Sequence, residues 1–352
     1  MLKTGIVKDP AYLGHKTGPL HPETHKRLEV IYRMLSDSDV QSIFCEIDSR
    51  EAKERELLYI HSGEYIRQVA DTAGRMYSFL DADTPTSPGS YRAALRAAGG
   101  LCNAVMAVVK GELDNAFALV RPPGHHAEQN SGRGFCIFNN IAIAAEYARK
   151  ELGTRKILIV DWDLHHGNGT QHAFETNSDI LFFSTHRYPF YPGTGGFDEN
   201  GAGKGEGYTI NIPLSPGFGD AEYSIIYAQI LKPIAFQFKP ELVLVSAGFD
   251  IYRDDPLGGM KVTPNGFISL TKILMDIAAA FCGGKIVLTL EGGYDLEGLQ
   301  QSVKAVIKTL AGVFPAGGND FMPSFDSPDV NRVLLEPVLR NARKVYGRYW
   351  QL

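Results

Sequence analysis

The chain has 352 residues, of which 44% are hydrophobic and 21% are charged, so it is globular and can bury a large core. Its formal net charge of −5 and pI near 6.1 give no basic surface for nucleic acid, so we predict no nucleic-acid partner. Because no linker or low-complexity segment interrupts the chain, we predict one domain over residues 1–352.

Short apolar runs rich in β-branched residues recur along the chain and alternate with helical stretches. Such runs are typical of strands buried on both faces, so the alternation predicts a parallel sheet covered by helices. The predicted strands, in chain order, are 116–120, 156–160, 180–184, 208–213, 241–246 and 285–290. Amphipathic helices are predicted at 90–111, 139–152, 220–238 and 268–284, and a loop followed by a closing helix is predicted after Gly312.

Polar clusters follow five of the predicted strands. In chain order, the five clusters are "RPPGHHAEQNSGRGFCIFNN", "DWDLHHGNG", "THRYPFYPGTGG", "AGFDIYRDDPLGG" and "EGGYD". Ligands of open parallel sheets bind at the carboxyl ends of the strands. We therefore expect these five loops to converge on one face of the sheet.

The sequence shows no targeting segment. The first eight residues lack the apolar segment of a secretory signal, and no apolar run approaches the roughly 20 residues of a membrane span. We expect no membrane contact and a cytoplasmic location. The cysteines have no CxxC pairing, which argues against disulfides and a thiolate zinc site and predicts core thiols at Cys45, Cys102, Cys136 and Cys282.

Two carboxylates and two imidazoles crowd the segment "VDWDLHHGNG", which ends a predicted strand. Burying so many ionisable groups is costly unless they bind a metal or one another. If the chain stays extended past Val160, then Asp161, Asp163 and His165 point the same way, because strand side chains alternate with period two. With Asp250 after its own strand, this set suits Zn²⁺, Fe²⁺ or another first-row ion.

Each polar cluster taken alone has a simpler explanation. An Asp-x-Asp at a strand end is often a helix cap or a solvated turn, and paired histidines occur in protein cores. Two His-His pairs at strand ends, together with Asp250 and the glycine-flanked Tyr294, make a joint coincidence improbable. We therefore interpret the clusters as parts of one site.

Six motifs, in order, resemble those of the metal-dependent histone deacetylase family, which includes bacterial amidohydrolases and acetylpolyamine amidohydrolases. They are "RPPGHHA", "SGRGFCIFNN", "DWDLHHGNGTQHAF", "FYPGTGG", "SAGFD" with "DPLGG", and "LEGGYD". With the N-terminal "GHKTGPLHPETHKRLEVI", the resemblance extends to about Leu299. It implies a single-domain arginase/deacetylase-like α/β fold, with a central parallel sheet of about eight strands, helices on both faces and long loops at the C-terminal strand ends.

The resemblance implies three cation sites. A Zn²⁺ ion, or Fe²⁺, would be held by Asp163, His165 and Asp250, while Asp161 would turn toward His125 and a structural K⁺ ion. That K⁺ site would use Asp161, main-chain oxygens of Asp163 and His165, the Ser184 hydroxyl and the Thr185 carbonyl. A second, peripheral monovalent site would involve Phe174, Asn177, Ile180 and Tyr208.

The resemblance also implies catalytic roles. Bound Zn²⁺ lowers the pKa of its water to roughly 7 and polarises the acyl carbonyl. His126 would take the water's proton and later protonate the leaving amine, oriented by Asn168, where many eukaryotic homologues carry Asp. We expect His126 to be mostly neutral and His125, facing Asp161, to be the more cationic. Tyr294 would complete the stabilisation of the oxyanion.

The family's acyl-lysine channel maps onto five further positions. Phe135 and Tyr191 resemble its aromatic walls, and Gly134 would give close backbone contact. Leu257 lies where one polyamine-preferring branch carries Glu. Asp83 matches a rim position that hydrogen-bonds the substrate backbone in some members, and it equally suits a turn cap.

We expect hydrolysis of an N-acyl, mainly N-acetyl, primary amine such as acetyl-lysine in a protein or peptide. The nearest alternative is an acetylpolyamine deacetylase, which the apolar Leu257 and the short loop around Asp83 disfavour. A catalytically silent acyl-lysine-binding protein would be expected to lose one of these residues. An arginase-type hydrolase with paired Mn²⁺ ions needs more bridging carboxylates than the motif offers. The motifs leave the physiological substrate and the oligomeric state open.

Overall fold

The computed structural model describes residues 1–314 and 327–352, and its centre is an eight-stranded sheet in which every neighbouring pair is parallel. A separate antiparallel hairpin is formed by β3 and β4. The strands are β1 Thr4–Val7, β2 Phe44–Ile47, β3 Ser78–Asp81, β4 Thr84–Thr86, β5 Asn115–Ala118, β6 Ile157–Asp161, β7 Ile180–Arg187, β8 Thr209–Leu214, β9 Leu242–Ala247 and β10 Ile286–Leu290.

Eleven α-helices are assigned in the described parts of the chain. They are α1 Lys26–Met34, α2 Glu54–Leu57, α3 Gly63–Ala70, α4 Ser90–Val109, α5 Asn140–Leu152, α6 Asn168–Phe174, α7 Asp220–Ile226, α8 Lys232–Phe238, α9 Pro264–Phe281, α10 Leu296–Leu310 and α11 Arg332–Tyr346. Short 3₁₀ turns occupy Pro10–Gly14 and Gly203–Gly205.

All six predicted strands are present in the central sheet, as β5 to β10. Four of these six strands are buried along their whole length, and β7 and β8 are each buried at all but one residue, as their continuous apolar runs predict. The sequence prediction missed β1 and β2. Each has only four residues, β1 contains a glycine, and β2 is a half-exposed edge strand whose alternation is weak.

Helices cover both faces of the sheet, as the predicted fold class requires. On one face α4 packs against α5, and on the other α10 packs against α1 and α9, with α7 beside α9. Local sequence explains the helix ends: the Asn139 side chain caps α5 by accepting from the Ala142 amide, and Gly153 ends it with a left-handed φ of 75°. The predicted helix 220–238 is in fact α7 and α8 joined by a π-helical turn, Tyr227–Leu231.

Helix α4 is the one helix, among the described residues, that is long and apolar enough to cross a membrane. The sequence-based statement that no apolar run approaches that length is therefore wrong for α4. In the fold, 67% of its most apolar stretch is buried, and it packs on β1, β5 and β10. Its apolar character is thus that of a core helix.

The prediction of core thiols is correct for three cysteines, since Cys102, Cys136 and Cys282 are buried and free. It is wrong for Cys45, which is exposed on the edge strand β2.

The predicted closing helix is α11, which packs against β8. The Tyr346 hydroxyl accepts a hydrogen bond from the Asn211 amide and donates one to the Asn211 carbonyl, each at 2.7 Å. The predicted loop before this helix lies largely in 315–326, outside the described residues.

The order of the strands explains where a site forms. Strands run β2-β1-β5-β10-β9-β6-β7-β8, so β5, β10, β9 and β6 are neighbours at the centre of the sheet. Because the sheet is parallel, the loops that follow these strands leave from the same edge. The expected convergence of the polar loops is confirmed, since all five contribute side chains to one cavity described below.

Candidate active site

Asp163, His165 and Asp250 meet at the centre of the carboxyl edge of the sheet. Asp163 and His165 lie in the loop after β6, and Asp250 follows the adjacent β9. The Nδ1 atom of His165 is 3.1 Å from Asp163 Oδ1 and 3.1 Å from Asp250 Oδ2. Ligand atoms held about 2.0–2.1 Å from a tetrahedral Zn²⁺ ion are about 3.3 Å apart, so these spacings fit one first-row ion.

The electrostatics of this triplet also fit a cation. All three side chains are buried, and Asp250 Oδ2 has no hydrogen-bond partner. Burial and the nearby Asp163 charge raise the pKa of Asp250 to about 7. Burial opposes a charge on His165, but the adjacent carboxylates of Asp163 and Asp250 outweigh it and raise its pKa to about 9. A divalent ion would compensate the same buried negative charge that the His165 proton compensates here.

Asp161 does not join this triplet, so the expectation that Asp161, Asp163 and His165 point the same way is wrong. Strand β6 ends at Asp161, and the chain then turns so that the Asp163 amide donates to Asp161 Oδ1 at 3.0 Å. The other carboxylate oxygen, Oδ2, lies 2.9 Å from His125 Nδ1. The period-two argument fails because it holds only while the backbone stays extended.

The histidine pair after β5 has two different environments. The His125 and His126 rings lie 3.9 Å apart, with Asp161 beside the first and Asn168 Oδ1 2.7 Å from Nδ1 of the second. Burial disfavours a charge on His125, yet Asp161 and Asp163 raise its pKa to about 10. Burial, and then the His125 charge, lower the pKa of His126 well below its ordinary value. These two shifts have the directions of the expected contrast, a cationic His125 and a neutral His126, which stays a prediction.

Tyr294 is held over the same cavity by its loop. The Asp255 carboxylate accepts from the Tyr294 amide at 2.7 Å and from the Asp295 amide at 3.1 Å. Burial raises the pKa of the Tyr294 phenol well above its usual range. The hydroxyl therefore stays protonated and can donate a hydrogen bond.

Sequence reasoning missed three buried charges that shape this loop: Glu23, Arg27 and Glu291. Arg27 donates to the carbonyls of Gly293 at 2.6 Å and Glu291 at 2.5 Å, and its guanidinium lies 5.2 Å from the centre of the Tyr294 ring. Glu23 forms ion pairs with Arg27 and with Arg121. The segment "HPETHKRLEVI" contains both Glu23 and Arg27 four residues apart, a spacing that signals an ion pair but not its burial.

Glu291 forms hydrogen bonds with the backbone at the start of the histidine pair. Its carboxylate accepts from the amides of Gly124 at 2.7 Å and His125 at 3.2 Å, and from the Ser246 hydroxyl at 3.0 Å. Burial raises the pKa of Glu291 to about 7. These bonds fix the backbone that presents the two imidazoles.

A cavity of about 190 Å³ leads to these groups, and all five predicted channel residues line it. Phe190, which the sequence prediction missed, adds a third aromatic wall and stacks on the His165 ring at 5.5 Å. Phe135 has a left-handed φ of 69°, which is rare for a bulky residue and turns its ring toward the cavity. The lining is Asp83, Pro123, His125, His126, Gly134, Phe135, His165, Phe190, Tyr191, Leu257, Gly292 and Tyr294.

Asp83 and Gly134 pack together at the rim. Asp83 Oδ1 accepts from the Gly134 amide at 3.1 Å and from the Thr84 hydroxyl at 2.9 Å. Gly134 has a φ of 56°, and a Cβ there would lie 2.5 Å from the His126 ring. Asp83 thus acts as a turn residue and also faces the cavity, while Gly134 allows the close approach that was expected of it.

The residues expected to bind monovalent cations lie in two groups around β6 and β7. Asp161 and Ser184 are register partners, which places Thr185 and the loop oxygens of Asp163 and His165 nearby. The Ser184 hydroxyl lies 2.9 Å from His186 Nδ1. The second group is a turn after α6 together with Tyr208, which immediately precedes β8. The Asn177 amide donates to the Phe174 carbonyl and the Ile180 amide to the Asn177 carbonyl, while the Phe182 amide of β7 donates to the Tyr208 carbonyl. The presence of K⁺ stays a prediction.

Comparisons with known proteins agree with this geometry. Residues 21–310 match the histone deacetylase domain. A probable deacetylase from Archaeoglobus fulgidus is 37% identical over 99% of both chains. Histone deacetylase 15 from Arabidopsis thaliana is 45% identical over 84% of this chain and 53% of its own, and human Polyamine deacetylase HDAC10 is 41% identical over 94% and 49%. The chain thus spans nearly all of the archaeal relative and about half of these eukaryotic ones.

The fold agrees equally well with a solved structure. The crystal structure of the HDA15 HD domain aligns with a TM-score of 0.91 and 39% identity, covering 99% of this chain and 95% of that one. The predicted α/β fold and the predicted enzyme class are therefore confirmed. With a domain match over most of its length and relatives named as deacetylases, this chain belongs to the histone deacetylase family and is a deacetylase, a hydrolase.

Proposed function

We propose that this chain is a Zn²⁺-dependent amidohydrolase that removes an acetyl or other acyl group from acyl-lysine or a similar primary amine. The observation that carries the proposal is the spacing of one imidazole and two carboxylates, with 3.1 Å between the His165 nitrogen and each carboxylate oxygen. His165, His126 and Tyr294 line one narrow cavity with aromatic walls. A cavity of that form suits the aliphatic stem of a lysine with an acyl group at its end.

The residues around the triplet supply the proton transfers. A divalent ion held by Asp163, His165 and Asp250 would polarise the acyl carbonyl and acidify the attacking water. His126, kept neutral by burial and by the His125 charge, accepts the water's proton at Nε2, because Nδ1 faces Asn168. The same imidazolium then donates that proton to the leaving amine.

The protein also stabilises the developing negative charge on the acyl oxygen. The Tyr294 phenol remains protonated and donates a hydrogen bond to that oxygen. Arg27 contacts two carbonyls of the Tyr294 loop and so fixes the phenol before substrate arrives. His125, positively charged beside Asp161, contributes a fixed positive potential beneath the reacting group.

Replacing Tyr294 by Phe tests this mechanism. We expect kcat on an acetyl-lysine peptide to fall by about 10²–10³-fold with little change in KM, because the hydroxyl acts mainly in the transition state. The matched control is Tyr349→Phe, which removes an exposed hydroxyl bonded to Glu206. Metal analysis of the same preparations should give one transition metal per chain, whereas two Mn²⁺ ions would indicate arginase-type chemistry. Unchanged turnover of Tyr294→Phe would remove the phenol from the mechanism.

Acetylpolyamines are a second candidate substrate class, since one relative is named Polyamine deacetylase HDAC10. A polyamine needs an acid to meet its distal ammonium, and the wall position of the cavity where such an acid is expected is the apolar Leu257. We therefore propose acyl-lysine as the preferred class. Comparing kcat/KM for acetyl-lysine peptides, longer acyl-lysines and acetylputrescine tests this ranking.

A further inference from the structure

The partner of the general base is an amide, and an amide can point either end at its neighbour. Asn168 Oδ1 lies 2.7 Å from His126 Nδ1. If the amide were reversed, its NH₂ group would face Nδ1, and Nδ1 would have to be the unprotonated, accepting nitrogen. The proton would then lie on Nε2, which is the atom that must be free to accept a proton from water. The orientation of the Asn168 amide therefore decides whether His126 can act as a base.

Glu128 is the nearer of two acceptors that fix that orientation; the other is the His126 carbonyl, 3.5 Å from Asn168 Nδ2. The Oε1 atom of Glu128 accepts a short hydrogen bond from Asn168 Nδ2. Burial disfavours a charge on Glu128, but its hydrogen bonds to His172 and Asn168 outweigh this and lower its pKa. An ionised carboxylate only accepts hydrogen bonds, so the NH₂ end of the amide must face it. The carbonyl end is thereby directed at His126, which holds its proton on Nδ1.

His172 fixes Glu128 from the opposite side. Its Nδ1 atom lies 2.9 Å and 3.0 Å from the two carboxylate oxygens of Glu128. Both residues line a second cavity of about 340 Å³, together with Tyr59, Ile60, Gln129, Gly169 and Ala173. Glu128 is not among the residues that line the substrate cavity, so a change at Glu128 reaches the reaction through Asn168.

We propose that Glu128 is a positioning residue that orients the Asn168 amide and thereby sets the tautomer of His126. Through that amide, Glu128 also supplies the negative charge that a carboxylate at position 168 would supply directly. His172 holds Glu128 in the geometry this requires. The catalytic part of this inference rests on the proposed function. The tautomer part rests on the hydrogen bonds alone.

The activity test uses Glu128→Gln, Asn168→Asp and their combination in the zinc-loaded protein. Glu128→Gln removes the charge, so we expect kcat on an acetyl-lysine peptide to fall about 10- to 100-fold with KM unchanged. Asn168→Asp alone places a second carboxylate beside that of Glu128, and the repulsion between them should also lower kcat. In the double variant the new amide at position 128 can donate to the new carboxylate at position 168, so kcat should exceed that of either single variant. Glu175→Gln is the control, since Glu175 is near His172 but makes no bond to Asn168.

The tautomer test does not depend on activity. Long-range ¹H–¹⁵N NMR should show His126 protonated on Nδ1 in the wild type, assigned by the signal missing from His126→Asn. In Glu128→Met, which cannot accept from the amide, we expect a second population protonated on Nε2. Wild-type kcat in Glu128→Gln, no rescue in the double variant, or an unchanged tautomer in Glu128→Met would each overturn the inference. A wild-type protein inactive on every acylated amine would instead overturn the proposed function, and the NMR result would still decide the tautomer.

Discussion

Gly292 offers a direct test of the metal triplet, because it lies against two of the three ligands. Its amide donates to Asp163 Oδ2 at 2.8 Å. A Cβ at this position would lie 2.3 Å from Asp250 Oδ2 and 2.6 Å from Asp163 Oδ2. The φ angle of Gly292 is outside the left-handed region, so alanine is compatible with the backbone. The expected effect of Gly292→Ala is therefore confined to the two carboxylates.

The distances set the size of that effect. Real Cβ contacts essentially never fall below 3.0 Å, so Asp250 Oδ2, one of the three ligand atoms, would have to retreat by about 0.7 Å, the difference from 2.3 Å. Asp163 Oδ2, on the carboxylate whose Oδ1 faces His165, would have to retreat by about 0.4 Å, the difference from 2.6 Å. Metal–ligand distances tolerate only about 0.2 Å. We expect Gly292→Ala to weaken Zn²⁺ binding by about 100-fold or more, which corresponds to about 2.7 kcal/mol.

Zinc affinity is measured by competition with a chromophoric chelator, and thermal unfolding is followed with and without Zn²⁺. Wild type should show a rise in Tm on adding Zn²⁺ that Gly292→Ala largely lacks. Gly14→Ala is the control, because the nearest atom to its added Cβ is Gly89 Cα at 3.9 Å. If Gly292→Ala bound Zn²⁺ within about threefold of the wild-type affinity, Asp163 and Asp250 would not be the ligands.

Two further predictions concern substrate choice and stability. Leu257→Glu should raise kcat/KM for acetylputrescine relative to an acetyl-lysine peptide by about tenfold, because a carboxylate on the cavity wall attracts the distal ammonium; Leu257→Gln is the control, and an equal change for both substrates would contradict the reasoning. Burial lowers the pKa of His61 to about 4, and its two nitrogens contact the Glu128 carbonyl and the Asn139 amide. Between about pH 6.5 and pH 4, His61 therefore binds a proton in the unfolded chain but not in the folded one. The stability that the neutral, buried His61 contributes is present above about pH 6.5 and is lost as the pH falls toward 4. We expect the free energy of unfolding, measured in urea, to fall less for His61→Gln than for wild type between about pH 7 and pH 4.5. If the free energy of unfolding depended on pH identically in the two proteins, His61 would not contribute.

Much of the fold could be predicted because its signal is local. Six strands are continuous apolar runs bounded by polar loops, and burial on both faces gives such runs their composition. The two ends of α5 likewise depend on local residues: Asn139 caps its first turn, and Gly153 directly follows its last residue. The π-helical turn between α7 and α8 had no such local signal, so the sequence predicted one continuous helix.

The site was predictable in part, and the part that failed depends on long-range contacts. Motif order brought Asp163, His165 and Asp250 together, whereas periodicity alone wrongly added Asp161. Arg27 and Glu291 were missed because charged residues are usually exposed, and nothing near Arg27 in the chain indicates partners 264 and 266 positions away. Likewise, Glu128 gains its role only when α6 places Asn168 and His172 beside it.

The phenol of Tyr346 has a consequence for how copies of this chain meet one another. Strand β8 is at one end of the sheet, and the outer backbone groups of such a strand are a template on which another chain can pair. Tyr346 bonds both the amide and the carbonyl of Asn211, and Trp350 donates to the Gly207 carbonyl at 2.7 Å just before β8. Two aromatic side chains thus occupy backbone groups of Asn211 and Gly207, which are then unavailable for edge-to-edge pairing with another chain.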